Sequence, residues 1–368
     1  MLKRKGLGLA VVLSVCLAFV LSGCGGAAPT GAQNAKTGAQ QKTASGNDQQ
    51  VIKLKFADYY PPEHYIVKNG VKPWIEQVEK ASNGRIKIEY FGAEQMGNAR
   101  DLLSILQRGV ADIASITPAY YEGKMPLSSI SGLPGLFSSS VVGSPAFSEA
   151  ILSTDMLKHD YTANSMYPLW GVYTDTYNVF TTKKTIQAIN DLKGMKIKTP
   201  GGYYSKSIAA LGANPQAIAA TETYQALDQG TVEGLIISVT SIPPYNFNEV
   251  TKFGTLGFNM GSTWFGFQMN LKKWDSLPDD LKKVIQQANQ DTTTKVAKYI
   301  DAQVDTLLEQ FRKQGIKIIN LPDEEQKKLK DLTDPVVKKW VTDMKDKGFD
   351  GQKILDDYLK QIKQHSGS

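Results

Sequence analysis

The sequence predicts a mixed α/β protein built on two open, partly parallel sheets. Residues 190–238 contain two consecutive strand–helix–strand units, and residues 51–117 contain a strand–helix–strand–helix–strand run. Helices that alternate with strands in this way connect parallel strands, and such sheets bind ligands beyond the carboxyl ends of the strands. The chain has 368 residues, 41% of them hydrophobic, so it can bury a sizeable core and form two or three domains.

Residues 190–238 justify the first of these predictions. The alternating run Met195–Lys198 stops at a Thr-Pro-Gly-Gly sequence, since proline cannot donate to a ladder and glycine permits unusual backbone angles. Lys198 therefore ends a strand, immediately before a helix N-terminus, which attracts anions. It is either a solvated lysine or part of an anion site, and the pattern favours both about equally. The elements expected next are a helix over Tyr203–Leu211, a strand near Gln216–Ala219, a helix from its N-cap Thr221 to Gly230, and a strand over Leu235–Val239.

Residues 51–117 supply the second sheet half. Alternating runs at 51–57, 85–91 and 112–117 predict strands. The helix that ends at Gly84 turns Trp74, Ile75 and Val78 inward, and a second helix covers 98–107.

The rest of the chain is predicted as connections and helices. Residues 118–146 are rich in Ser, Gly and Pro and form a long loop, a helix covers 144–159, and 167–182 is an apolar run too long for one ordinary strand. Residues 277–315 have a helical pattern without a persistent heptad, which favours a bent or broken helix over a coiled coil. The remainder is amphipathic helix with a lysine-rich solvated face.

Charge gives no support for nucleic-acid binding. The formal net charge is +6, but Lys3, Arg4 and Lys5 lie in a predicted signal; removing these three from 42 basic residues leaves 39 against 36 acidic ones, or +3. So small an excess does not predict a nucleic-acid surface.

The N-terminus predicts a lipoprotein. Residues 1–23 have the basic start and apolar run of a signal peptide, and Leu21-Ser22-Gly23-Cys24 matches the box in which the cysteine is lipidated. An ordinary signal peptide and an uncleaved anchor are the alternatives. Residues 24–50 form a flexible tether. With Cys16 in the signal and Cys24 used for the lipid, no cysteine is left for a disulfide or a zinc site.

Motifs for catalysis and for bound cofactors are missing from the sequence. The three histidines are scattered, and no metal-binding HExxH, P-loop, GxSxG elbow or dinucleotide fingerprint is present. Asp58 and Glu63 are close in sequence, but loop carboxylates are usually solvated. We therefore expect a protein that is not an enzyme and has no cofactor and no metal.

Four segments resemble a known family. DLKGMKIKTPGG, LGANP, TETYQALDQGTVEG and LKKWDSLP are similar to the solute-binding subunit of tripartite ATP-independent periplasmic (TRAP) transporters, the DctP type, over about residues 51–310. The resemblance implies a two-lobed periplasmic-binding-protein-like fold of type II-like topology, with hinge-crossing strands and a long bracing helix. It places lobe I at 51–175 plus 264–304 and lobe II at 176–263 plus 305–368.

The chain departs from this family at its usual polar ligands. Relatives carry an arginine where this chain has Lys198, a second near Asn178, and a Gln-x-Asn after the position of Gly234, where this chain has Leu235-Ile236-Ile237 followed by Ser238. Lysine lacks the planar fork that binds a carboxylate with two parallel hydrogen bonds. The predicted ligand-binding residues are Lys198, Asn178, Tyr59, Tyr203, Ile237, Ser238 and Trp264.

The predicted function is capture of a small organic anion, a carboxylate with an aromatic or apolar body, by lobe closure. The resemblance implies delivery to the TRAP small and large membrane subunits of an ion-driven permease, from a monomer that its lipid holds on the extracytoplasmic side of the bacterial cell membrane. Three alternatives remain: a sensory receptor for a membrane kinase or chemoreceptor, a binder of a neutral or cationic solute in an aromatic cage, and a surface enzyme.

Overall fold

A computed structural model describes residues 51–153 and 155–367, in which eleven strands alternate with ten α-helices. The predicted signal peptide, the predicted lipidation site Cys24 and the predicted tether therefore lie outside the described residues. None of the helices in the described part combines the length and the hydrophobicity that crossing a bilayer requires. The strands are β1 (Ile52–Ala57), β2 (Ile86–Phe91), β3 (Ile113–Ile116), β4 (Met166–Tyr173), β5 (Asn178–Thr181), β6 (Lys196–Thr199), β7 (Asn214–Ala217), β8 (Gly234–Ile237), β9 (Phe253–Leu256), β10 (Trp264–Asn270) and β11 (Lys317–Asn320). The helices are α1 (Lys72–Ala81), α2 (Leu102–Gln107), α3 (Ser140–Ser153), α4 (Gly202–Ala210), α5 (Ala220–Asp228), α6 (Phe247–Val250), α7 (Leu271–Asp275), α8 (Asp279–Lys313), α9 (Asp323–Asp346) and α10 (Gly351–Ser366).

The strands form two separate sheets, as predicted. The first has the order β2-β1-β3-β10-β4, and the second has the order β11-β9-β5-β8-β6-β7. β10 runs antiparallel to both of its neighbours in the first sheet, and β5 does so in the second. Each sheet has its own apolar core, so we call the first sheet with its helices lobe I and the second lobe II.

Burial follows the alternation of the sequence. In β2 the side chains of Ile86 and Ile88 are buried while Lys87 and Glu89 are exposed. In α1, Trp74 and Val78 are fully buried on one face. Side chains two apart on a strand and four apart on a helix share a face, so the apolar pattern alone fixes which side meets the core.

Two crossing segments connect the lobes and pair with each other. Residues 174–177 lead from β4 to β5, and residues 257–263 lead from β9 to β10. The Thr174 amide donates to the Thr263 carbonyl at 3.1 Å, and the Tyr177 amide donates to the Gly261 carbonyl at 2.8 Å. The apolar run 167–182 is therefore two strands, one in each sheet, because its middle leaves the first ladder to join the second.

Helix α8 braces both lobes without a break. It spans 35 residues and buries Ile285, Val296 and Ile300 in the core of lobe I, and Leu308 and Phe311 in that of lobe II. The bracing role was expected, but the predicted break is absent, because the apolar face continues from one core into the other.

Two further expectations need correction. Residues 305–368 were assigned to lobe II, yet α10 packs Leu355, Tyr358 and Ile362 into the core of lobe I beside α3. The apolar face of α10 packs against α3 in that core. The other lobe boundaries stay a prediction. Thr221 is not an N-cap, because α5 begins after Ala219, and its hydroxyl donates instead to Glu94 in lobe I at 3.2 Å.

Candidate ligand-binding cleft

Lys198 occupies the carboxyl end of β6 and is buried, with 1% of its surface exposed. Among the described residues no acceptor takes a hydrogen bond from its Nζ, and no carboxylate lies within 4 Å. Burial, and secondarily the positive charge of Arg100, lower the pKa of Lys198 to about 7. An unpaired ammonium in this position is poised to gain a partner from outside the protein.

The end of β6 faces lobe I directly. A Cβ placed on Gly201 would lie 3.6 Å from the carbonyl oxygen of Ala119, and the Ala220 amide donates to Tyr120 Oη at 3.3 Å. Arg100, also of lobe I, holds its guanidinium carbon 5.1 Å from the centroid of the Tyr120 ring. Lys198 therefore lies where the two lobes meet, near a second cation.

Aromatic side chains of lobe I lie in a row that reaches the same lobe boundary at Tyr120, and we call this row the aromatic wall. The rings of Tyr59 and Tyr60 are 4.1 Å apart, and Tyr59 lies 6.1 Å from Tyr120. The hydroxyl of Tyr59 is hydrogen-bonded to Tyr60 at 2.8 Å and to Thr117 at 2.7 Å. Tyr59, expected at the site, is therefore a fixed ring on the wall that continues to Tyr120 and Arg100.

His64 extends this wall, and the sequence analysis did not select it. Its ring lies 4.8 Å from Tyr60, 5.5 Å from Phe265 and 5.4 Å from Tyr245 of lobe II. His64 Nδ1 accepts the amide of Ile66 at 3.1 Å, so the proton of the neutral ring is on Nε2. That Nε2 is buried without a partner among the described residues, and burial lowers the pKa of His64 to about 3. The Nε2–H of His64 is therefore a neutral hydrogen-bond donor at the lobe boundary, without an acceptor among the described residues.

Tyr245 of lobe II lies next to the aromatic wall, with its ring 5.4 Å from that of His64. Burial and, after it, the nearby Tyr59, Tyr120 and Tyr65 raise the pKa of Tyr245 well above its usual value. Its hydroxyl therefore stays protonated and can donate a hydrogen bond. The sequence gives no signal for this residue beyond its place in an apolar turn, since the packing of the two lobes is what brings its ring to 5.4 Å from that of His64.

Asn178, also predicted to bind the ligand, holds the two crossing segments together. Its Oδ1 accepts the amides of Gly257 and Phe258 at 2.9 and 3.3 Å, and its Nδ2 donates to the Thr176 carbonyl at 3.1 Å. Both ends of the amide are thus committed to the two crossing segments. Asn178 therefore ties the two crossing segments together, and since its Nδ2 uses only one of two N–H groups there, its contact with a ligand stays a prediction.

Ile237 and Ser238 lie at the carboxyl end of β8, on the same sheet edge as Lys198. Ile237 is buried, and Ser238 Oγ donates to Ser241 Oγ at 2.7 Å. The turn that follows is held by Asp175 of the first crossing segment, whose carboxylate accepts the Val239 amide at 2.7 Å. Burial, opposed by the hydrogen bonds from Thr240 and Val239, raises the pKa of Asp175 to about 6.

Tyr203 lies outside the aromatic wall. Its hydroxyl donates to Asp343 of α9 at 2.7 Å, and Lys206 Nζ lies 3.6 Å from its ring centroid. Lys206 also reaches Asp343 at 3.3 Å and Glu122 of lobe I at 3.5 Å. These four residues form an interlobe latch, which we name the Lys206 latch. Glu122 also lies 3.0 Å from the Cβ position of Gly202, so a protein carboxylate already occupies the N-terminus of α4.

Trp264 faces away from the cleft. It packs against Phe147 of α3 at 4.9 Å and against Tyr173 at 5.2 Å. The next residue, Phe265, is the one whose ring meets Tyr60, at 4.9 Å. Successive side chains of a strand point to opposite faces, so a shift of one residue exchanges a core tryptophan for a cleft phenylalanine.

Two lobes joined by paired crossing segments, with an unpaired cation and aromatic rings where they meet, define a solute-binding protein that encloses a small molecule. No cluster of three potential metal ligands occurs within residues 51–153 and 155–367. The DctP family, described as bacterial extracellular solute-binding protein family 7, matches residues 56–343, and the chain belongs to this family. Its members are the solute-binding subunits of TRAP transporters: they act outside the cytoplasm, in transport rather than catalysis, and work with membrane subunits.

Solved structures of this family superpose closely on the chain. A TRAP solute-binding protein from Rhodoferax ferrireducens T118, in complex with copurified benzoate, has a TM-score of 0.80 at 26% identity and covers 86% of this chain and 99% of its own. A marine metagenome TRAP solute-binding protein specific for aromatic acid ligands, co-crystallised with 3-hydroxybenzoate, has a TM-score of 0.79 at 26% identity and the same coverage. The uncharacterized protein YiiZ of Salmonella typhimurium is 27% identical over 212 residues, which are 56% of this chain and 62% of YiiZ, so less than two thirds of that relative is covered.

Proposed function

We propose that this protein captures an aromatic monocarboxylate, with the carboxylate bound by Lys198 and the ring held by the tyrosine wall. The observation that carries the proposal is the buried side chain of Lys198, whose Nζ donates to no acceptor among the described residues. An anionic group from outside would supply the missing partner. Similarity at 26% identity to proteins crystallised with benzoate and 3-hydroxybenzoate supports the same ligand class.

The charges around the cleft disfavour the cationic alternative. Arg100 is close enough to Lys198 to lower its pKa, so two positive groups share the region. Among carboxylates nearby, Asp58 is committed within lobe I: Ser115 donates to it at 2.7 Å and Tyr90 at 2.8 Å. Glu94 and Glu222 also lie near Tyr120, and each accepts a hydrogen bond, from the Thr221 hydroxyl and from the Ala219 amide. A ligand cation beside the Lys198 amine would meet repulsion from Lys198 and Arg100.

His64 supports a second feature of the ligand. Its Nε2–H is a buried donor without a partner among the described residues, in a cluster shared by both lobes. Because the ring stays neutral at pH 7, it suits an uncharged acceptor such as a hydroxyl or keto oxygen rather than a second carboxylate. We therefore expect monoanions with one further neutral oxygen to bind best.

Calorimetry with a matched ligand panel tests the ligand class. Benzoate, its neutral isostere benzamide and the cation benzylammonium have the same ring and nearly the same size. We expect benzoate to bind at least tenfold more tightly than benzamide, because one charge-assisted hydrogen bond contributes about 1.5–3 kcal/mol, and benzylammonium not to bind. Equal affinity for benzoate and benzamide would remove the carboxylate from the proposal.

Lobe closure is the proposed mechanism of capture. Contacts to Lys198 in lobe II and to the aromatic wall in lobe I both form only when the lobes are closed, so the ligand favours that state. The membrane subunits would recognise the closed form. No covalent step is required, and ligand recovered unchanged after incubation with the protein would agree with a function in binding alone.

The anchor and the oligomeric state are also part of the proposal. The sequence around Cys24 supports lipidation, which would hold the protein at the membrane surface. Cys24→Ser should release the protein from the membrane fraction and abolish metabolic labelling with palmitate. We propose a monomer, for which light scattering should give the mass of one chain.

A further inference from the structure

Tyr204, the third residue of α4, connects lobe II to the rest of the molecule through one side chain. It belongs to the apolar core of lobe II and is 2% exposed. Its hydroxyl donates to the carbonyl of Ser262, in the second crossing segment, at 2.6 Å and lies 3.3 Å from the carbonyl oxygen of Ser131. Ser131 belongs to the short helical turn Ser128–Gly132, whose Ile130 packs in the core of lobe I. Tyr204 therefore contacts both lobes and a segment that joins them.

Gly132 leaves the space that the ring of Tyr204 occupies. A Cβ at Gly132 would lie 2.6 Å from Cε2 and 3.1 Å from Cζ of that ring. Non-bonded carbon atoms approach to about 3.5–4.0 Å, so a side chain at this position would force Gly132 and the ring apart by about 1 Å. Glycine is therefore what allows lobe I to pack this closely on α4.

Hydrogen bonds connect the start of α4 to the strand end that carries Lys198. Thr199 Oγ1 and Ser205 Oγ are 2.6 Å apart, and Thr199 Oγ1 also accepts the Gly201 amide at 3.3 Å. The Ser205 amide donates to the Gly201 carbonyl at 3.3 Å. Thr199 directly follows Lys198, and Ser205 directly follows Tyr204. A displacement of Tyr204 therefore moves the turn next to Lys198.

We propose that Tyr204 is a positioning residue for ligand binding: its contacts with Gly132 and with the second crossing segment set the distance between Lys198 and lobe I. This role rests on the function proposed for Lys198, and Tyr204 need not touch the ligand to fulfil it. A charge-assisted hydrogen bond between an amine and a carboxylate has a narrow range of lengths, about 2.7–2.9 Å. A shift of about 1 Å between the lobes is therefore large enough to lose the contact with a ligand that both lobes hold.

Gly132→Ala tests this role, and Gly123→Ala is its matched control. Both glycines lie in the segment 118–132, and neither has the left-handed backbone in which alanine would be strained. A Cβ at Gly123 would meet nothing within 4 Å, whereas one at Gly132 would meet the Tyr204 ring. The two variants add the same methyl group, and only one of them disturbs the contact between the lobes.

Two measurements report the position of Lys198. Burial lowers its pKa to about 7 in the free protein, and NMR titration of its side-chain signal, assigned with Lys198→Met, measures this pKa without any ligand. Gly132→Ala should raise the pKa of Lys198 by roughly 1 or more, because separated lobes admit water to the amine. Calorimetry should give a benzoate affinity roughly tenfold or more below that of the wild type. Gly123→Ala should change neither quantity.

Two variants at position 204 separate the contact from a general loss of structure. Tyr204→Leu lacks the ring atoms Cε2 and Cζ, so the methyl group of Gly132→Ala has room, and the double variant should match Tyr204→Leu alone in both measurements. Tyr204→Phe keeps the ring and loses its two contacts with carbonyl oxygens. It should lower the benzoate affinity roughly threefold, with cooperative unfolding in denaturant retained.

Wild-type values of both quantities in Gly132→Ala and in Tyr204→Phe would overturn the role of Tyr204. An equal effect of Gly132→Ala in the Tyr204→Leu background would also overturn it, since the effect would then not depend on the ring. A wild-type protein that does not bind benzoate would instead refute the proposed ligand, and the pKa of Lys198 in the variants would still decide the role of Tyr204.

Discussion

Replacing Lys198 by methionine should change affinity and stability in opposite directions. Methionine has a similar length and no charge, so Lys198→Met removes a buried amine that has no partner in the described part of the chain. The free protein should therefore become more stable, since burying an unpaired ionisable group is unfavourable. The affinity for benzoate should fall ten- to a hundredfold, because the charge-assisted contact of about 1.5–3 kcal/mol is lost.

The pH dependence follows from the same pKa. Burial holds the pKa of Lys198 at about 7 in the free protein, against 10.5 for an ordinary lysine. A bound carboxylate favours the charged form, so binding takes up a proton. Benzoate affinity should be flat just below pH 7 and should fall about tenfold for each pH unit above it. The stability of the free protein has the opposite pH dependence. Between pH 7 and 10.5 the Lys198 amine is protonated in the unfolded chain and largely neutral in the folded protein, so the free energy of unfolding rises with pH in that window.

Calorimetry and denaturant unfolding between pH 6 and 9 measure both effects. Lys196→Met is the matched control, because Lys196 is exposed on the same strand and should affect neither quantity. The difference in unfolding free energy between the wild type and Lys198→Met isolates this one group from all other titrations. An unchanged benzoate affinity in Lys198→Met, with any stability result, would refute the placement of Lys198 in the site.

Three further predictions follow from individual contacts. Asn178→Ala should lower the unfolding free energy by about 1–3 kcal/mol, because the Gly257 and Phe258 amides lose their acceptor, while calorimetry should give a benzoate affinity within twofold of wild type. Glu122→Gln should speed ligand release in stopped-flow experiments only two- to threefold, since the Lys206 latch is partly exposed, and an unchanged rate would exclude the latch from closure. His64→Phe should remove a roughly fivefold preference for 3-hydroxybenzoate over benzoate, and a retained preference would show that Nε2 does not contact the hydroxyl.

The predicted strands and their parallel arrangement agree with the structure, for a reason visible in β2 and β6. Alternating side chains in Ile86–Phe91, and the Pro-Gly-Gly stop after Lys198, are local properties of the chain. Burial then follows the apolar period without reference to distant residues. Site residues are harder to predict from sequence. Lys198 lies at the lobe boundary and Tyr59 lies in the aromatic wall, because each is at or just after the carboxyl end of a strand.

Residues whose roles depend on distant partners could not be assigned from their own neighbourhood. Asn178 pairs with amides about eighty positions away, and Trp264 faces α3 because the register of β10 sets its side. His64 and Tyr245 belong to different lobes, and their rings lie 5.4 Å apart only because of how the two lobes pack.

The sequence by itself determined the α/β class, the family and the lone lysine at a strand end, since these depend on local spacing and on motifs. The tertiary structure alone decided which polar groups remain without partners. Hydrogen bonds within the crossing segments use the Asn178 amide, and a bond to α9 uses the Tyr203 hydroxyl. The side chains of Lys198 and His64 are buried, and neither the Lys198 amine nor His64 Nε2 has a hydrogen-bond partner among the described residues, so each gains most from an acceptor on a ligand.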